Sequence, residues 1–355
     1  MYMPTFAKSA LLSMVTFVTL YGDCFNNEGC ESSARNYDDH YAVPPPQYPS
    51  DSCAMIFFIN AAYTFWQPYQ QGMFLLRTKP ANYNSTTPSA NWIGPYMTPQ
   101  SGFKVGAGIN TFHDGWKVEA EYTWFSNDPA MRSTALDTIN YNYDTVWDVD
   151  NSQVKTIASQ FTNLFQRVDL TLDRTFYAGN YLAFCPMGGL VGAWEEQNLN
   201  IQLTYLNVPP TDNTSGIHNV YQTMNWWCIG PYAALDSSYY CFDEWAIFFM
   251  AGGSINLAVH HTSYDINTST VTTPPTITYS TKTKIPSVEP MLETVIGLRW
   301  DTFGMDWGLR VQIGWELQVW FSHNAFIQHE AVYANYGNYG NYAMQGLTAN
   351  FRANF

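Results

Sequence analysis

The stretch Trp116-Lys-Val-Glu-Ala-Glu-Tyr-Thr-Trp124 alternates apolar and polar side chains without a break. Extended, it places Trp116, Val118, Ala120, Tyr122 and Trp124 on one face and Lys117, Glu119, Glu121 and Thr123 on the other. A helix would scatter these groups around its circumference. The apolar row begins and ends on Trp, whose ring is apolar and whose N–H is polar, as a strand crossing a bilayer between two interfaces requires.

The same period recurs along the chain. Phe103, Val105, Ala107 and Ile109 form the preceding arm, and His113-Asp-Gly115 supplies the turn. Leu292, Thr294, Ile296, Leu298 and Trp300 oppose Glu293, Gly297, Arg299 and Asp301. Trp307, Leu309, Val311, Ile313, Trp315, Leu317, Val319 and Phe321 oppose Gly308, Arg310, Gln312, Gly314, Glu316 and Gln318. Weaker stripes are Phe57 to Phe65, Val168 to Leu172, Tyr181 to Trp194, Trp227 to Tyr239 and Ile247 to Val259. The chain finishes on Leu347, Ala349, Phe351, Ala353 and Phe355, alternating with Thr348, Asn350, Arg352 and Asn354. Leu347, Phe351 and Phe355 have the form of a carboxy-terminal signal for barrel-assembly machinery.

Composition agrees. Aromatics make up 17% of the 355 residues and charged residues only 12%. Mean hydropathy is −0.21, too low for a helical membrane bundle. The net charge of −14 repels phosphate, so nucleic acid is not an expected partner. The expected fold is all-β: a transmembrane antiparallel up-and-down barrel of 10 strands, within a range of 10 to 16. Ten follows from taking 54–78 as one bent strand. Short turns are expected near 112–115, 175–180, 240–244 and 302–305, on the periplasmic side. Long polar links near 79–100, 127–158, 196–219, 262–287 and 322–342 would be extracellular. Unpaired amides in hydrocarbon cost several kcal/mol each, so such a sheet must close.

Lys8 followed by the apolar run Ser9 to Leu20 reads as a signal peptide over 1–22, with cleavage between Gly22 and Ala34. Residues 23–53 would be a periplasmic or lumenal amino-terminal segment, and 54–355 the outer-membrane barrel. Export to a bacterial outer membrane is therefore expected. Outer-membrane lipid, lipopolysaccharide and the assembly machinery are the expected partners; a homo-oligomer and a lone barrel both stay open. The six cysteines show no CxxC spacing, and either disulfides or packed thiols fit them.

The polar parity gives the expected lumen lining: Lys117, Glu119, Glu121, Arg167, Asp169, Asp173, Glu293, Arg299, Arg310, Gln312 and Glu316. The expected lipid-facing aromatic girdle is Trp116, Trp124, Trp300, Trp307, Trp315 and Phe321. No catalytic, metal or cofactor site is expected. His113-Asp114 is turn chemistry. Neighbouring His260 and His261 point to opposite faces, one at the rim and one among headgroups. Glu195-Glu196 reads as a solvated strand end. Asn84, Asn213 and Asn267 begin chance sequons, and Asn335 to Tyr342 is a small turn-rich repeat.

Several motifs also resemble the Legionella-type major outer membrane protein family, a pore-forming group found as well in chlamydia-related bacteria. They are Tyr63-Thr-Phe-Trp-Gln-Pro-Tyr-Gln-Gln-Gly72, Gly102-Phe-Lys-Val-Gly-Ala-Gly-Ile-Asn110 with His113-Asp-Gly-Trp116, and Phe176-Tyr-Ala-Gly-Asn-Tyr-Leu182. Gly189-Leu-Val-Gly-Ala-Trp194, Ile229-Gly-Pro-Tyr232, Gly297-Leu-Arg-Trp-Asp301, Gly314-Trp-Glu-Leu-Gln-Val-Trp-Phe321 and Gln345-Gly-Leu-Thr-Ala-Asn-Phe-Arg352 follow in order. Residues 23–53 carry no matching motif. The resemblance implies a surface-exposed, pore-forming outer-membrane protein without catalysis. The expectation is thus a porin for passive diffusion of small hydrophilic solutes or ions. The alternative is a structural barrel or adhesin with a plugged lumen, since narrow barrels are filled by side chains.

Overall fold

The computed structural model describes residues 56–73, 75–80, 91–111, 116–136, 141–145, 153–178, 181–206, 215–242, 244–270, 276–303, 307–327 and 340–355. The expected signal peptide, the segment 23–53, the turn at His113, the sequons at Asn84 and Asn213 and most of the Asn335 repeat lie outside these residues. In chain order the strands are β1 (Ile56–Gln70), β2 (Leu76–Pro80), β3 (Asn91–Ile93), β4 (Gln100–Asn110), β5 (Trp116–Asn127), β6 (Arg132–Ala135), β7 (Tyr141–Thr145), β8 (Gln153–Arg174), β9 (Phe176–Ala178), β10 (Leu182–Leu206), β11 (Ser215–Tyr240), β12 (Trp245–Thr270), β13 (Thr276–Phe303), β14 (Gly308–Trp320) and β15 (Tyr342–Asn354).

Ten of them close a ring. Its order is β8, β5, β4, β1, β15, β14, β13, β12, β11 and β10, with β10 pairing back onto β8. Every pairing is antiparallel. The first and last strands make the seam, from Phe58 opposite Asn354 to Gln70 opposite Tyr342. β10 and β8 meet from Met187 opposite Asp173 to Leu206 opposite Gln153. The count is the expected ten, because one strand, β1, crosses where a bent strand was read. The short strands β6 and β9 extend the ring's rims, and β2, β3 and β7 form a separate small sheet.

The outer face carries what a water-soluble protein would bury. Phe57, Ile59, Tyr63 and Phe65 of β1 are exposed, as are Trp227, Ile229 and Leu235 of β11 and Ile247, Phe249, Ile255 and Leu257 of β12. Leu292, Ile296, Leu298, Ile313 and Trp315 continue the band around the ring, with Leu347 and Phe351 on β15. An apolar surface this continuous is stable only against lipid.

One expectation is corrected. Strand reaches well into the links expected at 127–158, 196–219 and 262–287: β8 begins at Gln153, β10 ends at Leu206, β11 begins at Ser215, β12 ends at Thr270 and β13 begins at Thr276. β10 to β13 run for 25 to 28 residues, far beyond the roughly 9–11 that cross a bilayer. The alternation survives above the apolar band, but its polarity reverses. On β10, Asn198, Asn200 and Thr204 are half-buried and Gln202 is exposed, all on the outer face, while Leu199, Ile201 and Leu203 are fully buried inside. The sheet there leaves lipid for water, so it turns its apolar side inward.

Candidate functional site in the barrel interior

Strands of even register send every second side chain into the ring, and ten strands bring those side chains within reach of one another. Arg167 on β8 bonds Asp169 at 2.8 Å and reaches Glu293 on β13, four places around the ring. Lys104 on β4 bonds Glu316 on β14 at 2.7 Å and lies 3.9 Å from Glu121. Glu316 also accepts from Thr348 at 2.8 Å and Gln318 at 2.7 Å. Asn60 donates to Glu119 at 2.6 Å and to Glu121 at 3.1 Å, and Arg352 stands 3.6 Å from Glu119.

Nearer the end that holds both strand termini, Lys117 pairs with Asp173, to which the Cys185 thiol donates at 3.1 Å. Arg310 pairs with Asp301 at 2.5 Å. Arg299 binds Asp236 and Ser238, and Gln312, its amide turned to accept, takes bonds from Arg299 at 2.6 and 2.7 Å. The eleven side chains read as lumenal thus fall into several small networks. Their partners Lys104, Asp301 and Arg352 share the same parity and were legible by it, and Asn60 and Asp236 hold the corresponding parity on the weaker stripes of β1 and β11. Of the residues read as a girdle, Trp116, Trp307, Trp315 and Phe321 are exposed on the outer face, and Trp124 and Trp300 are half-buried there.

A second, sealed layer lies above these pairs. After β14 the chain reverses at Ser322, whose φ is +56°, and Ser322–Ile327 turns into the barrel. His323, with no exposed side-chain surface, bonds Glu195 on β10 at 2.6 Å and Glu289 on β13 at 3.2 Å. His260 on β12 bonds the same Glu289, and Ser287 donates to it at 2.6 Å. Burial alone would push His323 down in pKa, but Glu195 and then Glu289 outweigh it and raise it to about 9. Trp226 stands edge-on to His323 at 4.7 Å and to Trp320 at 5.1 Å. Trp66, Phe125, Phe165 and Tyr342 complete the layer, all fully buried. Phe326 then packs among Met73, Leu75, Leu199, Val220 and Tyr264. Gln222 ties the segment down by accepting from the Ile327 N–H at 3.0 Å and donating to its carbonyl at 2.6 Å.

Two readings of single residues change here. Glu195 is not at a solvated strand end but fully buried; only Glu196 is exposed. His260 is interior and bonded, and His261 is the outward one. Glu195 follows Val191 and Ala193 on an apolar inner row, and His323 sits on a connection, so neither carried a periodic signal. Among the described residues, no cluster of His, Cys, Asp or Glu has the arrangement to hold a metal ion.

A closed ten-stranded ring with this apolar exterior can be set beside known proteins. The family described as Legionella pneumophila major outer membrane protein precursor matches residues 53–355. The chain belongs to that family. It is therefore a bacterial outer-membrane β-barrel, and most of the major outer membrane protein motifs quoted above overlap its ring strands, Phe176 to Leu182 falling mainly outside them. No curated protein matches it. Among solved structures it is similar to the outer membrane protease OmpT of Escherichia coli at 8% identity, covering 86% of this chain and 99% of that one, with a TM-score of 0.38. The toluene transporter TodX of Pseudomonas putida is similar at 10% identity, 86% and 90% coverage and a TM-score of 0.27. Likenesses this distant carry no argument about activity. In the outer membrane, short turns lie in the periplasm and long connections outside, so the end that holds both strand termini is periplasmic and the tall wall of β10 to β13 faces outward from the cell.

Proposed function

We propose that this major outer membrane protein family member is a narrow pore for passive diffusion of small hydrophilic solutes or ions, without chemistry of its own, closed in the present conformation by the His323 layer. The observation that supports this is a gradient of wetness along the interior. In the periplasmic half some charged side chains keep contact with water, Arg310 at 27% and Glu121 at 22% exposure, while Arg167, Glu293, Asp301 and Glu316 are buried in ion pairs. At the closing layer, Glu195, Glu289 and His323 fall to 0%. A charged, partly wetted interior closed by residues carried on one connection suits a pore that opens by moving that short segment. Inward-facing acids outnumber inward-facing Lys and Arg, so cations are the favoured ions.

The test is purified protein in planar lipid bilayers. Small, cation-preferring conductance steps are expected, larger or more frequent after Gly substitution of residues 323–326. No step in either protein, across several lipids and both polarities, would reject the pore. That result favours a second reading, a plugged structural barrel or adhesin, which the fully buried layer and the tall extracellular wall support. Loss of cell attachment on shortening that wall, with permeability unchanged, would then be expected.

A further inference from the structure

The outer face of the tall wall changes character along one line. Going up β11, Trp227 gives way to Asn225; on β12, Val259 gives way to His261; on β13, Val288 and Pro286 give way to Lys284 and Lys282. Pairing aligns these steps, with Trp227 opposite Val259 and Val259 opposite Pro286, and next above them Asn225 opposite His261 and His261 opposite Lys284. Lys282, opposite Ser263, stands one outward position higher. His261, Lys282, Lys284 and Asn225 are all exposed.

The two lysines also stand apart electrostatically. The inward cations Lys104, Lys117, Arg167, Arg299, Arg310 and Arg352 each have an acidic partner. Among the described residues, Lys282 and Lys284 have none. The acids that share this wall are Asp265, one outward position above Lys282 on the neighbouring strand, and Glu196, three strands away in the Lys284 row. Neither bonds a lysine.

Height decides what the patch meets. Two residues of strand rise about 6.8 Å, or about 5 Å of bilayer depth at a tilt near 45°. Lys284 therefore stands about 5 Å and Lys282 about 10 Å above Pro286, the last apolar residue of that row. The headgroup region adds roughly 5–7 Å beyond the hydrocarbon on each side, and lysine stems are long enough to bend back into it.

We propose that Lys284 and Lys282, flanked by His261 and Asn225, form a binding site for a phosphorylated-sugar lipid of the outer leaflet, held through a phosphomonoester. Two cations one above the other match the charge of −1.5 to −2 that such a group carries, where a phosphodiester offers only one. The apolar row beneath, from Pro286 to Leu292, accommodates the acyl chains.

The experiment uses the whole protein in zwitterionic detergent. Binding of diphosphorylated lipid A is followed by native mass spectrometry and by the thermal midpoint. Wild type should bind and gain stability. K282Q/K284Q should lose roughly fivefold in affinity per lysine, each being worth about 1 kcal/mol beside an anionic surface. K282R/K284R should retain binding, which separates lost charge from lost fold. Inorganic phosphate alone should produce no shift, having no chains to dock. The proposal is overturned if K282Q/K284Q binds as wild type does, if phosphatidylglycerol binds as tightly as lipid A, or if inorganic phosphate gives the full effect.

Discussion

Arg167 is enclosed by two carboxylates, Asp169 beside it and Glu293 across the ring, with almost none of its surface in water. Removing one member of such a buried set leaves charge uncompensated, at about 3–5 kcal/mol, whereas replacing it with apolar residues of similar size is far gentler. Glu293→Ala should therefore lower the free energy of urea unfolding from lipid vesicles by that order, with a lower midpoint, and R167M/E293L should recover much of the loss. Equal midpoints for Glu293→Ala and wild type would mean that water reaches the pair. His323 gives a prediction with a pH sign. Its raised value, about 9 against 6.5 when unfolded, means that its contribution is complete below about pH 6.5 and is lost as pH rises through 9. The thermal midpoint should fall between pH 7 and 10 in wild type and lose that component in His323→Gln. Parity made Arg167 and Glu293 legible as inward residues. Nothing local could pair them, because their contact depends on how many strands separate β8 from β13.

At the scale of elements, the seam between β1 and β15 joins the first strand to the last, and it is tightly packed at Gly346. A Cβ on Gly346 would lie 2.0 Å from the Phe65 carbonyl oxygen, a backbone atom that cannot step aside. Gly346→Val should block closure and show as loss of the compact, heat-modifiable form on electrophoresis. Gly192→Ala is the control, since its Cβ would meet nothing nearer than 3.8 Å. The strands themselves were easy to read where lipid touches them, as in Trp307 to Phe321. The upper half of β10 was read as a link because its outer residues are Asn, Gln and Thr. Alternation was present there, with the apolar parity turned inward to Leu199, Ile201 and Leu203.

For the whole molecule, the interior combines an excess of acid with a closed layer, and each has a measurable consequence if the pore reading holds. E119Q/E121Q removes two carboxylates that are partly wetted, Glu119 at 16% and Glu121 at 22% exposure. In a salt gradient the reversal potential should then move toward zero, with conductance steps still present. An unchanged potential would place the ion path elsewhere. The tall wall and the short opposite side, where β14, β15 and β4 end near the apolar band, make the extracellular half lopsided. The connections on the short side include Ser322–Ile327 after β14 and, between β1 and β4, the short strands β2 and β3.

Period-two alternation and the girdle of Trp determined, from sequence alone, the membrane and the antiparallel barrel, while the count was bounded at 10 to 16 and the structure fixed it at ten. Alternation and girdle act through nearest neighbours along one strand, and a linear string displays such neighbours. Which charges meet across the ring, that the wall outgrows the bilayer, and that His323 reaches Glu195 and Glu289 were decided only by closure. Those contacts join residues from about sixty to more than two hundred positions apart or fix a side chain carried on a connection, so no local pattern encodes them.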